Sequence, residues 1–186
     1  MVQQNPILES VISNLRSRRR KYHIVEHREE TKTVEEKKRL LRNHKHDDYR
    51  QYGQVEIVGG YILSYTREKN LKNILCLYDG RNERDNDKLR FELGLVRNVD
   101  LMPCQDIEGL IGSEIGAVSP FTTKIDSVNG IYFDRRMIDE ARQNPSLTWD
   151  MTISTKLSLF ANVADVYFAL KQIPGFDSKT HIVRVT

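Results

Sequence analysis

The hydrophobic positions of this chain change period several times, and each change marks an element. Ile7, Leu8, Val11, Ile12 and Leu15 recur at helical spacing behind Pro6, which suits a first helical position, so an amphipathic helix opens the chain. Tyr22 to His27 leans towards a strand, and Thr33 to Arg42 reads as a short charged helix. Val55 to Tyr65 and Leu71 to Tyr78 are β-rich runs on either side of a polar Thr66–Asn70 turn, which predicts a hairpin. Beyond it the pattern predicts a short helix over Asp87–Leu93 ending at Gly94, a short strand over Val99–Met102 and a brief helix over Gln105–Ile111. A strand follows over Gly130–Asp134, then a strand over Leu147–Ser154 and a helix over Leu157–Ile173, which Pro174-Gly175 stops.

Strands interspersed with short helices, with a long helix at each end, predict an α+β or mixed α/β domain with a substantial sheet. A length of 186 residues fits one domain, taken as 1–186 with the amphipathic helix and its basic run over 6–21. The composition, 39% hydrophobic and 30% charged, is that of a soluble globular protein, and no apolar run nears the roughly 18 residues of a membrane span. The first residues lack a charged start and an apolar stretch, so a cytoplasmic location is expected.

Charge adds one feature. The net charge of +3 permits a nucleic-acid partner without requiring one, and Arg16-Ser17-Arg18-Arg19-Arg20-Lys21 concentrates five basic residues in six. The run is either a solvated helix end favoured by the helix dipole or a phosphate-contacting patch. Cys76 and Cys104 share no metal or redox spacing, and His44 and His46, two apart beside Asp47 and Asp48, lack a third ligand. No metal and no cofactor are expected.

The chemistry concentrates in Gly112 to Phe121, which joins two glycines, a proline and hydroxyls in one short apolar loop. Glycine lets a ligand approach bare backbone, while Pro120 fixes its own φ and holds Ser119 extended. Such a loop can aim amide N–H groups at a ribose or an ester oxygen. Gly59-Gly60, inside a predicted strand, marks a bulge or a place of close approach.

With these motifs in order, the chain resembles the YbaK-like aminoacyl-tRNA deacylases, whose fold is shared by the editing insertion of bacterial prolyl-tRNA synthetases. The resemblance covers most of the chain. It runs through the opening helix, Tyr22–His27, the Asp79-Gly80-Arg81 to Leu89 passage, the GxxxP loop Gly116-Ala117-Val118-Ser119-Pro120, and Phe133-Asp134. It implies a mixed, partly barrel-like sheet surrounded by short helices. It also implies hydrolysis of the ester joining a small, wrong amino acid to tRNA, by water attack without metal or covalent nucleophile. The aminoacylated 3′ end of tRNA is then the partner, and an aminoacyl-tRNA synthetase a further candidate.

By the same resemblance Gly116, Ser119 and Pro120 are the candidate catalytic positions, and Gly112, Phe121, Gly59, Gly60, His27 and Asp134 the candidate substrate-binding ones. Most have a structural alternative. Ser119 can simply shape a turn, Phe121 can be a core aromatic, His27 can be a structural histidine, and Asp134 can anchor a loop. One departure stands out. The lysine that the family carries on its first sheet strand falls at Gly59 or Gly60 here, unless Lys72-Asn73-Ile74-Leu75 supplies it. The alternative to an active hydrolase is therefore a weakened or inactive homologue that binds RNA or regulates.

Overall fold

The computed structural model describes residues 5–43, 50–95, 99–114, 116–122 and 124–186; the His44–Asp48 segment lies outside them. The amphipathic opening is helix α1 (Pro6–Ser17). Asn5 caps it by accepting from the Ile7 and Leu8 N–H groups, and Leu8, Val11 and Leu15 form its buried stripe. Strand β1 (Tyr22–Glu26) follows, then helix α2 (Val34–Asn43).

Strands β2 (Val55–Arg67) and β3 (Asn70–Asp79) form the expected hairpin, but its turn is tighter than the polar run suggested. Only Glu68 and Lys69 lie between the strands, both with positive φ, 53° and 63°. That geometry matches the right-handed twist of the flanking strands and lets pairing run on through Arg67 and Asn70. The two glycines in β2 cause no bulge, since Gly59 pairs with Tyr78 and Gly60 with Leu77 in unbroken register.

Helix α3 (Asn86–Glu92) and helix α4 (Ile107–Ile111) fall where the periodicity placed them, each behind an aspartate cap, Asp85 and Asp106. Between them β4 (Met102–Pro103) is the short remnant of the Val99–Met102 prediction. Strand β5 (Gly130–Asp134) leads into α5 (Arg135–Gln143), which the pattern had not separated from its surroundings.

The largest difference lies further on. Strand β6 (Thr148–Ser154) is as expected, but Leu157–Ala161 is a strand, β7, and only Val163–Lys171 is helix α6. Leu157-Ser158-Leu159-Phe160 fits a buried strand as well as a helical turn, and pairing with β1 and β6 on both sides decides it. Asn162 then starts the helix by accepting from the Ala164 and Asp165 N–H groups. The last element is a strand, β8 (Thr180–Val183), so the C-terminal end is not a long helix.

The strands form one mixed sheet of eight in the order β1-β7-β6-β2-β3-β5-β8, with β4 paired to β2. The path is open, with β1 and β8 at its edges, and does not close into a barrel. Strand alternation splits the core in two. Val58, Ile62, Leu75 and Leu77 face the main cluster with α1, α5 and α6, while Tyr61, Leu63, Tyr65, Ile74 and Cys76 face a smaller one with Leu89 and Val185. Burial on both faces explains why β2 and β3 read as nearly continuous apolar runs. No helix among the described residues is long and apolar enough to cross a membrane.

Candidate functional site

The two glycine segments meet. Gly59 and Gly60 of β2 form one wall of a cleft of about 270 Å³, Gly116 and Val118 the facing wall, Lys32, Thr33 and Val34 at the start of α2 a third, and Lys37 and Thr152 the floor. The approach is backbone to backbone. A Cβ on Gly60 would overlap the Val118 carbonyl, and one on Gly116 would overlap the Lys32 backbone. Gly116 also has φ +93°, a conformation that L side chains rarely adopt. Gly59 is required for a different reason: a Cβ there would run into the Tyr78 ring, which lies across the strand.

The loop is fastened from several sides. Asn5, besides capping α1, donates through Nδ2 to the Phe121 carbonyl. Ser119 is buried and its Oγ accepts from the Phe121 N–H at 3.2 Å, a local turn bond. Phe121 packs into the main core, and Gly112 is the left-handed C-cap of α4 at φ 67°. Asp134 is fully buried; its carboxylate accepts from the Val185 N–H at 3.1 Å and the Thr186 hydroxyl at 2.6 Å, anchoring the chain after β8. In each of these residues the packing role is the one visible in the geometry. Pro120 is buried beside them.

Lys72 sits elsewhere. It pairs with Tyr65 near the hairpin turn, five residues along β3 from Leu77, the partner of Gly60. That is about 17 Å at ~3.4 Å per residue. A different lysine reaches the cleft. Lys37, only 3% exposed, points from α2 to β6 and β7, where Nζ donates to Asp150 Oδ1 and Thr152 Oγ1, both at 2.7 Å, and to Ser158 Oγ at 3.0 Å. His27 Nε2 lies 2.8 Å from Ser158 Oγ and 4.0 Å from Asp150 Oδ2.

This network is nearly dry: Asp150 and Ser158 are 0% exposed, and Asp150 Oδ2 has no hydrogen-bond partner in the structure. Serine, histidine and aspartate are all present, yet the geometry is not that of a nucleophilic triad. Hydroxyl and carboxylate approach the same imidazole nitrogen, and a triad needs them on opposite ones. The serine beside His27 is Ser158, not Ser119. The network is instead a compensated buried ion pair, whose one carboxylate oxygen and two hydroxyls take up the ammonium's three protons.

Lys37 had a signal in the sequence. It follows Val34 by three and precedes Leu40 and Leu41 by three and four, so a charge stood on the apolar stripe of an otherwise polar helix. The basic run is partly structural. Arg16 Nη2 donates to the Tyr22 hydroxyl at 2.8 Å and Arg20 pairs with Asp165 at 3.2 Å, while Arg18, Arg19 and Lys21 are exposed. Of the two cysteines, Cys76 is buried among Tyr61 and Tyr65, and desolvation pushes its thiol up to about 12, away from nucleophilic use.

No family model and no curated protein matches this sequence. Solved structures do match its fold over nearly the whole chain. One is a hypothetical protein, with TM-score 0.61 and 15% identity over 95% of this chain and 98% of its own. Another is a protein described as a candidate trans-editing enzyme for prolyl-tRNA synthetase, with TM-score 0.55 and 17% identity over 99% of both chains. A third comes from computational grafting of linear epitopes onto scaffold proteins, with TM-score 0.52 and 16% identity over 97% of both chains. At these identities the likeness establishes the fold, which is the one the sequence resemblance implied.

Proposed function

We propose that the chain is an aminoacyl-tRNA editing hydrolase that removes a small mischarged amino acid from the 3′ end of tRNA. The observation that carries this reading is the cleft between Gly59-Gly60 and Gly116-Val118, whose walls are peptide backbone at the points of closest approach. Backbone groups fixed in this way are the donors and acceptors an ester and a ribose need, preset without reorganisation. A water adds to the ester carbonyl, the bond from that carbon to the ribose oxygen breaks, and the products are the free amino acid and a tRNA with its terminal hydroxyl restored. Selectivity comes from width. An apolar synthetase pocket rejects a missing methylene by only about 1–3 kcal/mol, and a narrow hydrolytic cleft adds a second sieve that larger, correct residues cannot enter.

A second reading has its own observation. The buried lysine at the cleft, Lys37, has all three protons committed to Asp150, Thr152 and Ser158, and β2 carries glycine where the family carries a lysine. A cleft whose buried ammonium is fully committed fits a homologue that binds RNA with little hydrolysis. One experiment separates the two. The purified protein is incubated with tRNA charged separately with alanine, cysteine, proline and serine, and ester loss is followed against buffer. Acceleration for at least one charge is expected; no acceleration for any, with intact tRNA binding, rejects the hydrolase and leaves the binding protein.

A further inference from the structure

We infer that the ring of Tyr78 is the stacking platform for the unpaired base at the 3′ end of the RNA, an inference that rests on the reading of the glycine cleft as the aminoacyl site. Tyr78 lines that cleft and also a second, wider hollow of about 480 Å³. Thr33 and Val34 belong to both as well, so the two form one continuous groove beside the first turn of α2. The base of an aminoacylated nucleotide is one sugar ring away from its ester. With the acyl group between Gly60 and Gly116, the adjoining hollow is where that base falls.

The platform is built for a flat ligand. Gly59 leaves room for the Tyr78 ring to lie across β2, and Tyr61 holds it edge to face, with ring centres 5.5 Å apart at 73°. Tyr61 in turn carries the Arg84 guanidinium 4.4 Å from its ring centre, so a cation stands at the rim of the same hollow. The other charged lining groups are carboxylates, Glu83 and Glu35, and Glu35 is paired with Lys38 at 2.6 Å. This mixed charge suits a base with its own phosphate better than the dense phosphate of a duplex. Stacking on an aromatic ring also accepts any base, since each has a π-face.

The test uses uncharged RNA, so that its outcome does not depend on hydrolysis. A 5′-fluorescein minihelix with a short single-stranded 3′ overhang is titrated with protein and followed by anisotropy, in parallel with the same RNA carrying an abasic terminal nucleotide. Tyr78→Leu is expected to weaken binding roughly five- to hundred-fold, the range of one base–aromatic stack, while Tyr78→Phe binds as the unsubstituted protein does. The abasic RNA should lose the same factor on the unsubstituted protein and nothing more on Tyr78→Leu. Equal binding of the two RNAs, unchanged affinity of Tyr78→Leu, or no binding of the minihelix at all would overturn the platform. If Tyr78→Leu does not fold, the abasic comparison on the unsubstituted protein decides alone. Ester hydrolysis that is indifferent to the terminal base keeps the hydrolase and removes the platform; base-dependent binding without hydrolysis does the reverse.

Discussion

The walls and the floor of the cleft are built on opposite principles. The walls are made by leaving side chains out, so that the Val118 carbonyl can stand against Gly60 and the Lys32 backbone against Gly116. The floor is made by putting charge in: Lys37 and Thr152 line it, and Asp150, Ser158 and His27 back them in a polar network where the exposure of each is 6% or less. The difference teaches a division of labour. Backbone walls fix a shape, whereas a compensated ion pair contributes fixation of α2 on the sheet and offers a ligand no spare proton.

If that division holds, the largest stability effect belongs to the floor. Lys37→Met leaves the Asp150 carboxylate buried without its cation, which costs about 3–5 kcal/mol in comparable cases. Urea unfolding would measure it, and the paired replacement Lys37→Met with Asp150→Leu should recover most of the loss. Hydrolysis by whatever fraction remains folded should persist. Loss of hydrolysis in a fully folded Lys37 variant would break the comparison, because it would put the ammonium in the reaction.

The walls predict the converse. Gly116→Ala forces a Cβ into the Lys32 backbone at positive φ, for about 1–3 kcal/mol, yet ester hydrolysis should fall far more than the folded fraction does. Measuring deacylation and urea midpoint on the same preparations checks this, and activity that merely follows stability would deny the wall a role. Asn5→Ala should act more gently. It removes both the α1 cap and the bond to the Phe121 carbonyl, for about 0.5–2 kcal/mol in thermal unfolding.

The two halves also differ in how far they could be read from the chain. Gly59-Gly60 and Gly116 stand out because glycine inside a strand or beside a Pro-locked turn needs a local reason; for Gly59-Gly60 the alternatives are a bulge and close approach, and the unbroken register leaves close approach. What approached was the protein itself, Tyr78 and Val118, which no local pattern names. The floor joins residues 113 to 131 positions apart, and only the misplaced charge of Lys37 on its helix hinted at it. The helix and hairpin periodicities carried most of the fold, and the failure at Leu157–Ala161 came where a run too short for its period to decide was settled by two neighbouring strands.

The smallest effect tests the joint between wall and floor. The first turn of α2 is closed by a reciprocal cap: Thr33 Oγ1 accepts from the Glu36 N–H at 3.1 Å, and Glu36 Oε2 accepts from the N–H groups of Lys32 at 2.6 Å and Thr33 at 3.1 Å. These bonds set the backbone that stands against Gly116 one turn before Lys37 enters the floor. The Lys32 N–H bond, foremost, holds the Glu36 carboxyl below its ordinary value. A carboxyl depressed in the folded state binds fewer protons there than in the unfolded chain. Its contribution is therefore complete above the unfolded value and fades as pH falls through the folded one. Glu36→Gln should leave neutral-pH hydrolysis nearly unchanged and flatten the acid limb of the stability curve. A variant that keeps the full acid dependence would show that the cap is not what steadies the Lys32 backbone against Gly116.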